Sequence, residues 1–183
     1  STELQAIGVF FPPSARILDD ARAVAQQAFE PAYPDADARY EATATLDVSA
    51  IGPQVTEPGS VHRACDVADL AGTRIDHAFL GSCGSGTYAD MAEAARVLRG
   101  RHIAPGVRMF VTPGTALTQR RMAAEGLTGI FLDAGCVLLP AGCGSCNDAV
   151  VGPLAAGEVS ISTAQNNQAG RYGAKDARIH LAS

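Results

Sequence analysis

No apolar run in the 183 residues approaches the roughly 20 needed for a membrane helix. The opening Ser1-Thr-Glu-Leu-Gln has no basic region leading into a hydrophobic stretch, so no signal peptide is read there. A dense Lys/Arg stripe is missing too, and a net charge of −5 with a pI near 5.3 argues against a nucleic-acid surface. The four histidines, His62, His77, His102 and His180, stand alone, with no pair at the i+3 to i+5 spacing of a zinc site. There is no internal repeat and no low-complexity tract. The cysteine count of five is odd, and without a secretion signal a disulfide framework is not expected. A reducing cytoplasm or an organelle matrix is the setting this suggests. What remains is ordinary globular material, 47% hydrophobic and 18% charged, enough for one domain or one domain with an extension.

The informative residues are three of those cysteines. Cys83 lies in the turn Gly81-Ser82-Cys83-Gly84-Ser85-Gly86, and Cys143-Gly-Ser-Cys146 follows sixty residues later as a C-x₂-C. Three thiolates in Gly/Ser-rich loops can hold an iron–sulfur cluster, because such clusters combine short C-x₂-C spacings with a remote ligand. Glycine lets the backbone approach a bulky cluster and expose its amides. One iron would then lack a protein ligand and be open to a substrate.

Periodicity places these cysteines in an α/β pattern. Ser14 opens a helix over residues 15 to about 29, with Ile17, Leu18, Ala21, Val24 and Ala25 on one face, and Pro31 and Pro34 end it. Residues 33–39 form a linker, 40–48 alternate as a strand, and 51–66, with Pro53, Pro58 and Gly59, are extended loop. Then come a strand at 75–80, a helix at 88–98, a strand at 107–112 and a helix at 118–125. Short strands follow at 130–132, 137–139, 159–163 and 178–181. Alternation of this kind predicts a three-layer α/β domain with a mostly parallel sheet. Ligands in such sheets sit beyond the carboxyl ends of the strands, which is where Cys83, Cys143 and Cys146 all fall.

Other readings compete at each position. Cys143 and Cys146 resemble the C-x-x-C of thiol redox proteins, although that leaves Cys83 without a role. Buried cysteines acting as small hydrophobes fit poorly beside Gly142, Gly144 and Ser145. Gly81 to Gly86 could cradle a phosphate, but it has no P-loop lysine and is not G-x-G-x-x-G. Arg171, in Ala169-Gly-Arg171-Tyr-Gly, could grip a carboxylate through its planar fork or be a solvated surface arginine. Cys65 and Cys136 lack Gly/Ser surroundings and read as core or surface thiols.

Several stretches together resemble one family, the aconitase/3-isopropylmalate dehydratase/homoaconitase superfamily. They include Phe79-Leu-Gly-Ser-Cys83, Val111-Thr-Pro-Gly114, Ala124-Glu-Gly126, Ile130-Phe-Leu-Asp-Ala-Gly135, Pro140-Ala-Gly-Cys-Gly-Ser-Cys146 and Gly170-Arg171-Tyr-Gly173. The similarity covers residues 40–183 and is specific there, whereas 1–39 match loosely. It implies an aconitase-like iron–sulfur domain at 40–183 behind an N-terminal helix and linker at 1–39. It further implies a [4Fe–4S] cluster on Cys83, Cys143 and Cys146, with Arg171 binding a substrate carboxylate. The implied reaction is dehydration or isomerisation of a hydroxy di- or tricarboxylic acid by a hydro-lyase.

This chain departs from the family pattern twice. Cys83 is followed by Gly84-Ser85 where the family has Thr-Asn. In Ala164-Gln165-Asn166-Asn167-Gln168, Asn166 replaces a substrate-binding arginine. The family's remaining catalytic groups lie upstream and on a separate swivelling domain or small subunit, and none is in this sequence. Ser1 is not an initiator methionine and the chain stops just after a strand, as expected of an excised domain or a subunit of a larger enzyme. A non-catalytic iron–sulfur or redox-sensing module, and a thiol redox protein using Cys143 and Cys146, are the alternative functions.

Overall fold

The computed structural model describes residues 6–182. The Ser1 to Gln5 stretch and Ser183, both used in the sequence reading, lie outside the described residues. The chain divides into two units, one ending at Ala50 and the other running from Ile51.

Among its described residues the first unit holds one helix, α1 (Ala15–Val24). Ser14 caps it as expected, its Oγ accepting from the Ile17 N–H at 3.3 Å. The helix ends five residues earlier than its pattern predicts, with Ala25 already extended. None of its residues is buried, so no packing offsets the cost of helix formation, and a ten-residue helix alone is marginal in water. The strand expected at 40–48 is absent: that stretch has no ladder partner and is exposed throughout. Thr-rich alternation favours a strand only where a sheet is available to join.

The second unit is built on five parallel strands in the order β5-β4-β3-β6-β7: β3 (His77–Gly81), β4 (Arg108–Thr112), β5 (Val137–Leu138), β6 (Val159–Ser162) and β7 (Arg178–Leu181). The expected parallel sheet is therefore present. A separate antiparallel pair, β1 (Gln54–Thr56) and β2 (Ala64–Asp66), occupies the stretch expected to be loop. Its β1 strand bridges to Ala182 beside β7. Pro53 and Pro58 bracket β1 without interrupting it.

Helices cover one face of the sheet. In α2 (Tyr88–Leu98), Thr87 and Asp90 form a reciprocal capping box, and Met91 and Ala95 are buried one turn apart. In α3 (Ala116–Ala124), Thr115 caps the helix and Thr118 and Met122 are buried. The strand expected at 130–132 is instead part of α4 (Leu127–Asp133). Leu127 and Phe131 form a helical stripe that faces the core, while Leu132 stays 55% exposed. A three-residue apolar run could not show that four-residue period. With Leu80 and Val111 from the sheet, these side chains form one core cluster.

Among the described residues of this unit, the opposite face has no helix. It is covered by irregular chain from 147–157 and 163–177, whose anchor is Tyr172, fully buried. The Tyr172 hydroxyl pairs with Ser162 Oγ at 2.6 Å and its ring stands edge-on to Phe79, centroids 6.0 Å apart. Burial pushes its pKa up. His77 lies on the same face, fully buried, with Nδ1 2.8 Å from Ser160 Oγ.

Truncating Phe131 to Ala should destabilise the chain by about 3–5 kcal/mol, the usual cost of an emptied aromatic site in a core, read by urea unfolding. Burial first, then the Arg108 charge, lowers the His77 pKa from 6.5 to about 4. The folded state thus prefers the neutral ring, and the unfolded chain takes up the proton first. Stability should fall as the pH drops from about 6.5 toward 4, with no further loss from this group below that. His77→Asn should show a shallower fall over that window in unfolding measured at successive pH values.

Candidate functional site

All five parallel strands end at one rim. The order β5-β4-β3-β6-β7 puts the reversal of strand order between β3 and β6, the position where ligands of such sheets bind. Backbone hydrogen bonds lash the loops of that rim together. Ser82 N–H donates to Thr112 O (3.1 Å), Gly114 N–H to Gly86 O (2.8 Å), and Gly142 N–H to Pro113 O (3.0 Å). On the other side of β3, Gly81 N–H donates to Thr163 Oγ1 (2.9 Å) and Thr163 N–H to Phe79 O (3.0 Å).

Glycine is required where these loops touch. A Cβ on Gly86 would strike the backbones of Gly114, Ser82 and Thr112. Gly144 has φ +53, and a Cβ there would enter the Thr112 side chain. Gly84 differs, because what fills its missing Cβ position is the terminal amide of Gln165. Ser82 is the only non-glycine with positive φ (81°) among the described residues. It directly precedes Cys83, and such strain often marks functional positions.

The sequence-predicted residues distribute over this rim as follows. Cys83 is exposed on the loop after β3, and Cys143 is exposed on the loop after β5. Cys146 ends a short 3₁₀ turn, Gly144–Cys146, with its N–H donating to Cys143 O at 3.1 Å, and is buried against the Phe79 and Tyr172 cluster. Arg171 is half-buried, and its Nη2 lies 3.8 Å from Cys146 Sγ while its Nε is buried without a partner. The structure thus brings Arg171 to Cys146. It does not aim Asn166 the same way: its Oδ1 accepts from the Gln168 N–H at 2.9 Å within its own loop.

Cys136 is a core thiol whose pKa burial pushes up to about 11, and half-buried Cys65 leans on Val55 O at 3.6 Å. Neither belongs to the rim.

Among the described residues no three His, Cys, Asp or Glu side chains are arranged around one metal ion. A multi-iron cluster asks for a different arrangement, with each thiolate on its own iron and the sulfurs spread apart. The rim has features of such a site: chain that only glycine permits, and four buried donors without partners, namely Ser82 Oγ, Thr112 Oγ1, Ser145 Oγ and Arg171 Nε.

Sequence reasoning missed five contributors. The hydroxyls of Ser82, Thr112 and Ser145 carry no motif of their own. Gln165 gains its place only through the absent side chain of Gly84. Asn167, 2% exposed, ties the 163–171 loop to the first hairpin through Nδ2 to Glu57 O at 2.7 Å and Thr56 Oγ1 at 3.1 Å. A crevice of about 720 Å³, which reaches the rim at Gly84, Ser85 and Thr163, is lined further by Val55, Leu80, Ala94, Val97 and Leu181. It is mainly apolar, and its polar lining includes Asp90 and Glu93, a poor match for an anionic ligand.

A family model described as aconitase family (aconitate hydratase) matches residues 66–183. The homoaconitase large subunit of Thermus thermophilus is 43% identical over 151 residues, 82% of this chain and 36% of that protein. The 3-isopropylmalate dehydratase large subunit 1 of Methanopyrus kandleri is 37% identical over 172 residues, 94% of this chain and 41% of that protein. A mitochondrial homoaconitase of Eremothecium gossypii is 44% identical over 156 residues, 82% of this chain and 23% of that protein. The chain spans about two fifths or less of the length of these relatives.

Substituting the three rim glycines should separate their roles. Gly86→Ala and Gly144→Ala should each cost about 1–3 kcal/mol or more, because stiff chain stands in the way. Gly84→Ala should be nearly neutral, since the flexible Gln165 side chain can swing aside. Urea midpoints of the three variants check this order.

Proposed function

Because the chain belongs to the aconitase family, we propose that it is the cluster-bearing domain of a hydro-lyase acting on a hydroxy di- or tricarboxylic acid. Cys83, Cys143 and Cys146 are the residues that would hold a [4Fe–4S] cluster, within a domain spanning about 40–183. Bound there, the cluster would supply a Lewis-acidic iron without a protein ligand, suited to loosening a substrate hydroxyl. The observation that carries this reading is the rim itself. Loops after β3 and β5 are hydrogen-bonded through the β4 end at Thr112 and Pro113, and they present thiols beside an arginine.

Arg171 is the carboxylate-binding residue in this proposal. Its Nε has no partner in the protein, so the guanidinium keeps a donor for a substrate oxygen while Nη2 faces Cys146. Asn166 contributes a neutral amide that is turned to its own backbone. The grip on the substrate at this rim therefore rests mainly on Arg171, and a second carboxylate would need a cation from elsewhere. That need, together with the large-subunit names of the relatives, supports a further partner: a swivelling domain or small subunit, and an upstream catalytic domain carrying the acid–base groups. Five free thiols suit a reducing cytoplasm. No helix among the described residues is long and apolar enough to cross a membrane.

Anaerobic reconstitution with iron and sulfide, followed by visible absorption and iron and sulfide assay, tests the proposal. The wild-type chain should turn brown and Cys83→Ser should not. A Cys83→Ser chain that binds iron and sulfide as wild type does, or a wild-type chain that stays colourless, contradicts the ligand set. A Cys143/Cys146 redox couple would be indifferent to Cys83. Arg171→Lys should retain the cluster but bind a hydroxy-carboxylate more weakly by about 1.5–3 kcal/mol, the value of a charge-assisted hydrogen bond, read by titration of the cluster's absorption.

A further inference from the structure

The hydroxyls of Ser82, Thr112 and Ser145 are 1%, 0% and 0% exposed by residue, and all three lack any hydrogen-bond partner. Leaving a buried hydroxyl unpaired forfeits its hydrogen bonds to water, so three together would consume much of the narrow margin that holds a typical domain. They are not scattered. Ser82 precedes Cys83, Ser145 lies between Cys143 and Cys146, and Thr112 ends the strand between those loops in the sheet order. Its side chain occupies the space that Gly144 leaves open in the C-x₂-C turn. The Ser82 backbone is also held at φ 81°, which glycine would adopt without strain, so a side chain is kept there at a cost.

Ligand chemistry decides what could satisfy such a set. Each hydroxyl brings one rotatable proton, so the rim offers three buried donors besides Arg171 Nε, the one kept for a substrate oxygen. Thiolates and inorganic sulfides bring lone pairs and no protons, and hydrogen bonds to these sulfurs are one of the factors that set a cluster's reduction potential. We propose that Ser82, Thr112 and Ser145 are the hydrogen-bond donors to the cluster and its cysteine sulfurs, fixing both how firmly the cluster is held and its potential. The inference rests on the cluster reading above. It goes further in naming residues that touch neither substrate nor iron.

Thr112→Val removes only the hydroxyl and keeps the shape, so the test turns on a change of sign between two states. In the apoprotein, Thr112→Val should be as stable as wild type or more so in urea, because an unpaired polar group is gone. In the reconstituted protein, the same change should shift the potential more negative in a redox titration followed by electron paramagnetic resonance. It should also weaken cluster retention against an iron chelator about tenfold, the equivalent of one lost hydrogen bond to a charged acceptor. Ser145→Ala should act in the same direction, and Thr112→Ser should restore wild-type values. Wild-type potential and retention in both Thr112→Val and Ser145→Ala would overturn the proposal while leaving the cluster reading intact. A wild-type chain that takes up no cluster would overturn both. A Thr112→Val apoprotein less stable than wild type would show that the hydroxyl already has a partner, and would overturn the proposal as well.

Discussion

The end of β4 is the constraint on which the rest of the rim depends. Thr112 O accepts from Ser82 N–H, the Thr112 side chain fills the gap above Gly144, and the next residue, Pro113, accepts from Gly142 N–H. Two loops sixty residues apart in sequence are thereby fixed to one strand end. Beyond the 3₁₀ turn at Gly144–Cys146 neither loop has regular structure to hold it, and neither could approach so closely with a Cβ at Gly86 or Gly144. Cys83 and the Cys143–Cys146 turn owe their common location to this close packing, which acts at backbone level and does not depend on a bound group.

The two faces of the sheet divide the work. On one, α2, α3 and α4 bury Met91, Met122 and Phe131 and provide the rigid support that a parallel sheet requires. On the other, irregular chain takes the place of helices, and it is this side that carries Cys146 and Arg171. Tyr172 makes that arrangement stable: its ring packs on Phe79, its hydroxyl meets Ser162, and the preceding residue is Arg171. A helix would have satisfied its own backbone, whereas here side chains do so, Ser162 Oγ accepting from the Ala164 N–H and Asn166 Oδ1 from the Gln168 N–H. That cost leaves the loop free to follow the rim.

How much of this was legible in the sequence varies with how local the signal was. Helix α2 follows from the apolar spacing of Met91, Ala94, Ala95 and Leu98, and its observed bounds coincide with the expected 88–98. The strands at 77–81 and 108–112 were legible as short, largely apolar runs that end at Gly81 and Pro113. Residues 130–132 were not, because Leu127, the other half of their helical stripe, lay outside the window read as a strand. Residues 40–48 carry strand-forming side chains without a partner strand, and partners are not visible in local composition. At the site, the cysteines and Arg171 stood out through their glycine-rich settings. The hydroxyl donors and the seat of Gln165 over Gly84 depend on contacts between distant loops, and no spacing rule encodes them.

The central claim is that three thiolates from two loops share one cluster and leave one iron without a protein ligand. Mössbauer spectroscopy of the chain reconstituted with ⁵⁷Fe tests it most directly. One iron site distinct from the other three, and altered when a hydroxy-carboxylate is added, is the predicted result. Iron sites that are all alike and indifferent to the carboxylate, or mononuclear iron alone, would contradict the account.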